Sequence, residues 1–244
     1  MPSRADLPRR RIGHYGRVVR SVEELISDED WWSSVAAAVA VSNGRCVSLE
    51  PEETRGDCLH SLQVTTRSVL GAMALHCGGL LIDHGWVRLF GAGHAGLPSL
   101  AAVNALPAPD GSSPPTLIVG EDVLGGRFAV NGGGLSGAAG EVNLWAPDTL
   151  AWVPLGVGHG DFVLWMIEGG GSALYESLRW PGWEVEVAAV PLHHGLMLYP
   201  PPCTVEGQDT SRASRRTVPR HELAHWLTSL AAVPNGPVDI RVVS

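Results

Sequence analysis

The sequence contains no lysine: all 17 basic residues are arginine, and with 25 acidic residues the formal net charge is −8. The arginines cluster at Arg9–Arg11 and in the segment Arg212–Arg220, and neither cluster is interleaved with aromatic residues. Proteins that bind nucleic acids neutralise phosphates with a basic stripe, so this charge balance argues against nucleic-acid binding. The excess negative charge is more compatible with a basic protein partner or with plain solubility.

Cysteine is also scarce, and its spacing argues against a structural metal site. The four cysteines, Cys46, Cys58, Cys77 and Cys203, form no C-x-x-C pair and show no zinc-ligand spacing. This usage is typical of reduced, buried thiols. We therefore expect a cytoplasmic location.

Long apolar runs are missing as well. The best candidate, Val35–Val41, has seven residues, whereas a helix that crosses a bilayer needs about 20. The arginine-bearing N-terminal segment is not followed by an apolar stretch of signal-peptide length. We therefore expect neither a membrane span nor a secretory signal.

Glycine, proline and tryptophan are plentiful, with 30, 18 and nine residues respectively. Many glycines and prolines imply many tight connections between short elements. The 244 residues suffice for one sizeable core. We expect a single domain over residues 21–232, preceded by a mobile arginine-rich leader (1–20) and followed by a tail (233–244).

Short β-favouring runs separated by glycine or polar turns dominate the chain up to about residue 155. The predicted strands are Cys46–Leu49, Gln63–Thr66, Val69–His76, Leu80–Asp83, Trp86–Phe90, Leu117–Val119, Arg127–Val130, Val142–Trp145 and Trp152–Leu155. Capping-box patterns at Ser21 and Ser27 predict helix starts. Further helices are predicted at Asp161–Ile167, Ala173–Leu178 and Pro219–Leu230. Strands grouped between terminal helices indicate an α+β fold with a largely antiparallel or mixed sheet.

An H-E-x-x-H motif stands at His221-Glu222-Leu223-Ala224-His225. Two histidines four residues apart on a helix can share one zinc ion, with the glutamate as general base. However, the apolar stripe of this helix is Leu223, Trp226, Leu227 and Leu230, which places both histidines on the opposite face. After His225 the chain offers only Asp239 as a third ligand. The pattern therefore favours a surface helix over a zinc site.

A G-x-G-x-x-G motif occupies residues 91–96, directly after the predicted strand Trp86–Phe90. Asp110 falls about twenty residues further on, where a ribose-binding carboxylate stands in dinucleotide-binding folds. The helix candidate after the motif, Leu97–Leu106, contains Pro98, and Asp110 lies in a loop rich in proline and serine. A glycine-rich turn is the better interpretation.

Tryptophans beside turns are the least common feature of the chain. Asp83-His84-Gly85-Trp86 and Arg179-Trp180-Pro181-Gly182-Trp183 place large rings next to glycine, where they can form a core edge or an exposed recognition surface. The acidic pair Glu121-Asp122 precedes a glycine turn and is expected to cap backbone N–H groups. The pair Glu184 and Glu186 is expected to lie on a solvated face.

Several long segments resemble an uncharacterised bacterial family of proteins of unknown function, the one numbered 2625. They are QVTTRSVLGAMALHCGGLLIDHGWVRLFGAGH (63–94), LIVGEDVLGGRFAVNGGGL (117–135), LWAPDTLAWVPLG (144–156), LRWPGWEVEV (178–187) and YPPPCTVEG (199–207). The resemblance extends over roughly Val22 to Leu230. The H-E-x-x-H is not part of the family pattern, and the resemblance implies no known activity.

A shorter likeness covers Gly120–Gly169. Its acidic turn, double glycine, G-E-V-N-L-W-A-P-D segment and D-F-V-L-W-M-I helix resemble the core of the SUKH superfamily, which includes bacterial toxin-immunity proteins. This likeness implies an α+β fold with a SUKH-like core and a role in binding a protein partner. It carries no catalytic residues.

These observations leave three hypotheses. The first is a cytoplasmic, non-enzymatic protein-interaction module, immunity-like in role, whose partner is a basic protein such as a toxin. Its candidate binding residues are Arg67, Asp83, His84, Trp86, Asp122, Asn131, Arg179, Trp180 and Trp183. The second is a zinc-dependent hydrolase with His221 and His225 as ligands and Glu222 as base. The third is a small-molecule-binding domain with a pocket between the sheet and the last helices.

Overall fold

A computed structural model describes residues 19–52, 55–108 and 112–232 of the chain. Most of the predicted leader (residues 1–18) and the predicted tail (233–244) lie outside the described residues, as do Asp110 and Asp239. Among the described residues, no helix combines the length and the hydropathy needed to cross a bilayer.

Seven strands form one antiparallel sheet in which each strand pairs with its neighbours along the chain. The strands are β1 (Cys46–Leu49), β2 (Gly79–Ile82), β3 (Val87–Phe90), β4 (Thr116–Asp122), β5 (Arg127–Asn131), β6 (Glu141–Ala146) and β7 (Ala151–Gly158). The β2–β3, β4–β5 and β6–β7 connections are tight turns, and the glycines at 85, 125 and 126 lie in the first two of them. The predicted α+β class is confirmed.

In the described part of the chain, five helices precede β4. They are α1 (Val22–Leu25), α2 (Trp32–Ala40), α3 (Arg55–Leu62), α4 (Val69–His76) and α5 (Leu100–Val103). The capping box predicted at Ser21 is present, because Ser21 N donates to Glu24 Oε2 at 2.7 Å and Ser21 Oγ accepts from Glu24 N. The start predicted at Ser27 is wrong, since α2 begins at Trp32 and Asp30 Oδ1 accepts from its backbone N–H.

The prediction of a strand at Val69–His76 is also wrong, because this segment is helix α4. Its apolar residues are buried on nearly all sides, so the helical period is invisible in the sequence and a strand fits the composition equally well. Ser68 caps the helix by accepting from Gly71 N at 3.1 Å. A side chain at Gly71 would collide with the Thr65 carbonyl, so glycine lets the helix pack tightly on the preceding turn.

The C-terminal part of the chain adds α6 (His159–Ile167), a 3-10 helix (Gly170–Tyr175), α7 (Trp183–Ala188), β8 (His194–Tyr199), β9 (Ser214–Pro219) and α8 (Arg220–Ala231). Strands β8 and β9 form a separate antiparallel pair. Neither strand was expected from the sequence. We call β8, β9 and α8 together the C-terminal unit. It joins the large sheet where Leu196 N donates to the Val123 carbonyl at 2.7 Å.

The two faces of the large sheet differ in chemistry. One face is apolar and packs against the helices, as shown by Phe128 of β5 and Phe162 of α6, whose ring centroids are 4.9 Å apart. The opposite face is partly covered by the C-terminal unit, where Trp145 of β6 packs with Leu223 and Leu227 of α8. Burial on both faces stabilises the sheet and fixes the turns at its hairpin ends.

Candidate functional site

Trp86 and four residues from the segment 175–183, which are Tyr175, Arg179, Trp180 and Trp183, form one aromatic cluster, which we call the tryptophan cluster. The ring of Trp86 lies at its centre, 5.6 Å from Tyr175, 5.7 Å from Trp180 and 5.2 Å from Trp183. Trp86 and Trp180 are buried, whereas Trp183 is half-buried. The cluster therefore has a buried base and one ring at the surface.

The turn between β2 and β3 positions Trp86. Asp83, His84 and Gly85 all adopt left-handed backbone conformations, with φ of 48°, 59° and 87°. Consecutive left-handed residues close a tight hairpin whose twist matches that of the flanking strands. This turn directs Trp86 inward and leaves His84 exposed, with its ring edge-on to Trp183 at 5.9 Å.

Arg179 holds the cluster together electrostatically. Its guanidinium carbon lies 4.1 Å from the Trp183 ring centroid and 5.1 Å from that of Trp86. Its Nη2 donates to Asp83 Oδ2 at 2.5 Å, and Ser172 Oγ donates to the same oxygen at 3.1 Å. A guanidinium that is ion-paired and stacked at the same time is pre-organised.

Trp180 is fixed by a second ion pair. Its Nε1 donates to Glu186 Oε2 at 2.8 Å, and Arg215 Nε donates to both carboxylate oxygens of Glu186 at 3.0 Å. The Arg215 guanidinium also lies 4.6 Å from the Trp180 ring. The expectation of a solvated acidic pair therefore fits the exposed Glu184 but is wrong for Glu186.

Asp122 lies behind the cluster, beside the hydroxyl of Tyr175. Its Oδ1 accepts from Leu124 N at 2.9 Å and from Gly126 N at 2.8 Å, which is the predicted capping of the glycine turn. Burial raises the pKa of Asp122 to about 7, although these two backbone N–H groups oppose the shift. Burial, and then the charge of Asp122, raise the pKa of Tyr175.

Beside the half-buried Trp183, the exposed residues that contact this ring or adjoin members of the cluster in sequence are His84, Glu176, Glu184 and Val185; we call these five residues the Trp183 surface. Val185 is 79% exposed, which is unusual for a valine in a helix. Among the described residues, neither Glu176 nor Glu184 takes part in an ion pair. The surface thus combines an aromatic ring, an exposed aliphatic side chain and two unpaired carboxylates.

Two of the sequence-predicted binding residues lie elsewhere. Arg67 is exposed and forms an ion pair with Glu29, ahead of α2. Asn131 is buried at the far end of β5, where its Oδ1 accepts from Gly133 N at 2.8 Å and its Nδ2 donates to the Leu135 carbonyl at 3.1 Å. Asn131 therefore stabilises the loop that follows β5. The structure brings the other seven predicted residues together around Trp86.

The H-E-x-x-H lies on α8 as the apolar stripe predicts. Leu223 and Leu227 are buried, while His221, Glu222 and His225 are exposed. Within the described parts of the chain, no group of three His, Cys, Asp or Glu side chains is placed to hold a metal ion. The motif therefore lacks the inward-facing ligand geometry of a zinc site.

Zinc analysis tests this interpretation. We expect protein purified without a histidine tag to contain substoichiometric zinc, because two exposed imidazoles to which the described residues add no third ligand bind zinc weakly. Elemental analysis of the wild type and of His221→Ala measures this directly. One zinc per chain that disappears in His221→Ala would restore the hydrolase hypothesis.

The G-x-G-x-x-G forms a turn between β3 and α5. Gly93 and Gly96 have φ of 101° and 85°, and a side chain at Gly91 would collide with the Cys77 carbonyl. Ser99 then caps α5, which has only four residues. These glycines allow the turn to pack closely against neighbouring backbone. The short helix α5 does not provide the N-terminus that binds phosphate in a dinucleotide-binding fold.

A shallow cleft beside the cluster, lined by residues that include Ile82, Asp83, Met166 and Tyr175, has essentially no room even for a water molecule. Sites for drug-sized ligands usually have about 300–1,000 Å³. This cleft therefore gives no support to a small-molecule pocket at the tryptophan cluster.

Sequence reasoning missed Tyr175, Glu186 and Arg215 as members of the site. Tyr175 precedes the W-P-G-W segment and Glu186 follows it. Their closeness in sequence to two tryptophans was the signal that could have placed them in the site. Arg215 gave no signal, because β8 and β9 were not recognised and their pairing brings it to Trp180.

Fold and site together define an α+β protein whose antiparallel sheet carries an aromatic cluster at a hairpin end. The family model "Protein of unknown function DUF2625" matches residues 22–223, and the chain belongs to this family. An uncharacterised Escherichia coli protein, YbfG, is 39% identical over 142 residues, which are 58% of this chain and 65% of YbfG. An uncharacterised Haemophilus influenzae protein is 30% identical over 174 residues, which are 69% of this chain and 76% of that protein.

No solved structure matches the chain. The SUKH-like core expected from Gly120–Gly169 is therefore not confirmed. The family resemblance predicted from the sequence is confirmed.

Proposed function

We propose that the protein is a non-enzymatic interaction module that binds a basic protein partner through the Trp183 surface. One observation carries the proposal: Trp183 is a half-exposed ring on a pre-ordered base, with Arg179 stacked 4.1 Å from its centroid and Trp86 edge-on at 5.2 Å. Tryptophan is enriched among residues that dominate protein interfaces, and a rigid anchor loses little entropy on binding.

Charge indicates the kind of partner. Glu176 and Glu184 are exposed without an ion pair among the described residues, and the whole chain carries a net charge of −8. Arg179, which is stacked on Trp183, is already paired with Asp83. Complementary charge increases the association rate and disfavours acidic competitors. A partner with arginine or lysine side chains around an apolar centre fits this surface.

More specifically, we propose an immunity-like role in which the basic partner is a toxin. The SUKH-like pattern in the sequence supports this role. A cytoplasmic location is proposed with it. All four cysteines are free, and burial raises the pKa of the Cys46 and Cys77 thiols to about 12, so these thiols are unreactive and suited to a reducing compartment.

Two substitutions test the proposal. Trp183→Ala and Glu184→Arg should each reduce partner affinity by at least about tenfold, because truncating an interface anchor or reversing a neighbouring charge costs about 1.4 kcal/mol or more. The wild-type chain and both variants would be used as baits in the native host, followed by calorimetric titration of the purified captured protein.

The matched control is Glu206→Arg, which makes the same charge change at an exposed glutamate in the loop between β8 and β9. It should bind like the wild type. Thermal unfolding of each variant checks that folding is retained. If a partner binds the wild type and both Trp183-surface variants with equal affinity, the proposed surface is wrong.

A further inference from the structure

One row of directly opposed residues crosses the sheet face that carries the C-terminal unit. The register pairs Arg88 of β3 with Glu121 of β4, Glu121 with Arg127 of β5, and Arg127 with Trp145 of β6. Directly opposed residues project to the same face of a sheet. Three charged side chains therefore stand side by side on a largely covered surface, separate from the tryptophan cluster.

Arg88 and Glu121 both have partners. Arg88 Nη1 donates to the Leu192 carbonyl at 2.9 Å and to the His194 carbonyl at 2.5 Å, which attaches the chain just ahead of β8 to the sheet. Glu121 Oε1 accepts from Arg220 Nη1 at 2.9 Å. These contacts account for the burial of the first two members of the row.

Arg127 has no such partner. Its guanidinium carbon lies 5.1 Å from the Trp145 ring centroid, and no acceptor or ion pair is found for it among the described residues. Its Nε is fully buried without a hydrogen bond, while the side chain as a whole is half-buried and so reaches solvent. Burying a guanidinium nitrogen without an acceptor is costly, so an anion that accepts from it would be stabilising.

Asn143 provides a second, independent observation on the same face. It lies two residues before Trp145 on β6, and its cross-strand neighbour on β5 is Ala129, which offers no polar group. Asn143 is fully buried, with 0% exposure, and neither its Oδ1 nor its Nδ2 has a hydrogen-bond partner within the described residues. An amide with both ends unsatisfied costs several kcal/mol unless a bound group completes it.

The charge of this layer is unbalanced. Among the described residues, Arg88, Arg127 and Arg220 lie around the carboxylate of Glu121, and the charge of Asp122 acts in addition on Arg88. Arginine remains charged in proteins, so it cannot relieve the imbalance by losing a proton. An oxyanion beside Arg127 would offset the excess positive charge and accept from the free guanidinium nitrogens.

We propose that Arg127 and Asn143 form a binding site for a small oxyanion, a carboxylate or a phosphate group. The planar guanidinium, held against Trp145, donates in the fork geometry that both groups accept. The amide of Asn143 donates one further hydrogen bond from the sheet. This site is independent of the protein interaction proposed for the Trp183 surface.

Binding of sodium phosphate and of sodium acetate tests the site, with sodium chloride as the reference at equal ionic strength. We expect at least one of the two anions to raise the melting temperature of the wild type and to give a saturable calorimetric titration. Arg127→Gln should weaken that binding by at least about tenfold, since it removes a charge-assisted, bidentate contact. Asn143→Leu should weaken it as well.

The matched control is Arg216→Gln, which removes an exposed arginine of β9 and should bind like the wild type. Phosphate stabilises folded proteins non-specifically, so the difference between wild type and Arg127→Gln is the decisive quantity. Binding of phosphate alone would identify a phosphorylated ligand, and binding of acetate alone a carboxylate. Absence of saturable binding for both anions, or equal binding by Arg127→Gln, would overturn the proposal.

Discussion

Replacement of Trp86 by alanine should lower the free energy of unfolding by about 4 kcal/mol, as expected for truncation of a fully buried tryptophan. Trp86 has no exposed surface and contacts Tyr175, Trp180 and Trp183 at ring-centroid distances between 5.2 and 5.7 Å. The substitution would leave a cavity at the centre of the cluster. It would also remove one of the rings against which Arg179 is stacked.

Urea denaturation followed by circular dichroism measures this effect. The matched control is Trp31→Ala, because Trp31 is 45% exposed and lies outside the cluster. It should cost less than about 1 kcal/mol. Equal losses for the two substitutions would show that Trp86 is not the centre of a packed cluster. Partner binding should fall with Trp86→Ala even where the chain remains folded, since Trp183 would lose its support.

Replacement of Asp122 by asparagine should stabilise the protein at pH 8, by at most about 4 kcal/mol, which is the free-energy equivalent of the pKa shift of Asp122. Burial raises the pKa of Asp122 from 3.8 to about 7 in the folded state. Between these two values the folded protein holds a proton that the unfolded chain has lost, so stability falls as the pH rises through this window. Asparagine stays neutral and keeps the oxygen that accepts from Leu124 N and Gly126 N.

At pH 4 the wild type and Asp122→Asn should have nearly equal stability, because the aspartate is then protonated in the folded state. Asp122→Ala is the control, since it is also neutral but cannot accept these two hydrogen bonds; it should be less stable than Asp122→Asn at every pH. A wild type that is more stable than Asp122→Asn at pH 8 would contradict a raised pKa of Asp122.

His159 has the opposite effect on the pH profile. Burial lowers its pKa from 6.5 to about 4, so the folded state stays neutral where the unfolded chain gains a proton, and stability falls as the pH decreases from 6.5 to 4. In this range the contributions of His159 and Asp122 oppose each other. Asp122→Asn should therefore reveal an acid-side loss of about 3 kcal/mol that is masked in the wild type.

Local signals in the sequence predicted several elements correctly. Ser21 and Glu24 three residues later predicted α1, since a capping box depends only on its own residues. The apolar stripe of four residues on α8 predicted that His221 and His225 face away from the core, because the helical period alone determines which residues share a face. The Asp122 cap followed in the same way from the adjacent glycine turn.

Other elements could not be derived from local patterns. The helix α4 is apolar on nearly all sides, so its sequence does not distinguish a buried helix from a buried strand. The pairing of β8 with β9 joins segments separated by a loop of 14 residues, 200–213, and it alone brings Arg215 to Glu186. For the same reason Glu186 was expected on a solvated face.

The candidate site, too, could be predicted from the sequence only in part. Tryptophans beside glycine turns marked Trp86, Trp180 and Trp183 from the sequence alone. The sequence could not show that Asp83 and Arg179, 96 residues apart, form an ion pair against the Trp183 ring. It also could not show that Arg67 and Asn131 lie apart from this cluster, because residue type does not encode distance between segments.

The sequence by itself determined the family, the α+β class, the free cysteines and the faces of helices whose polar and apolar residues alternate with helical period. Only the tertiary structure decided which tryptophan remains half-exposed, which carboxylates are paired, and that Arg127 and Asn143 are left without partners on one sheet face. Burial and pairing are properties of neighbours that the chain brings together only on folding. The energetic cost of an unpaired charge or a buried carboxylate therefore exists in the fold and has no counterpart in the linear sequence.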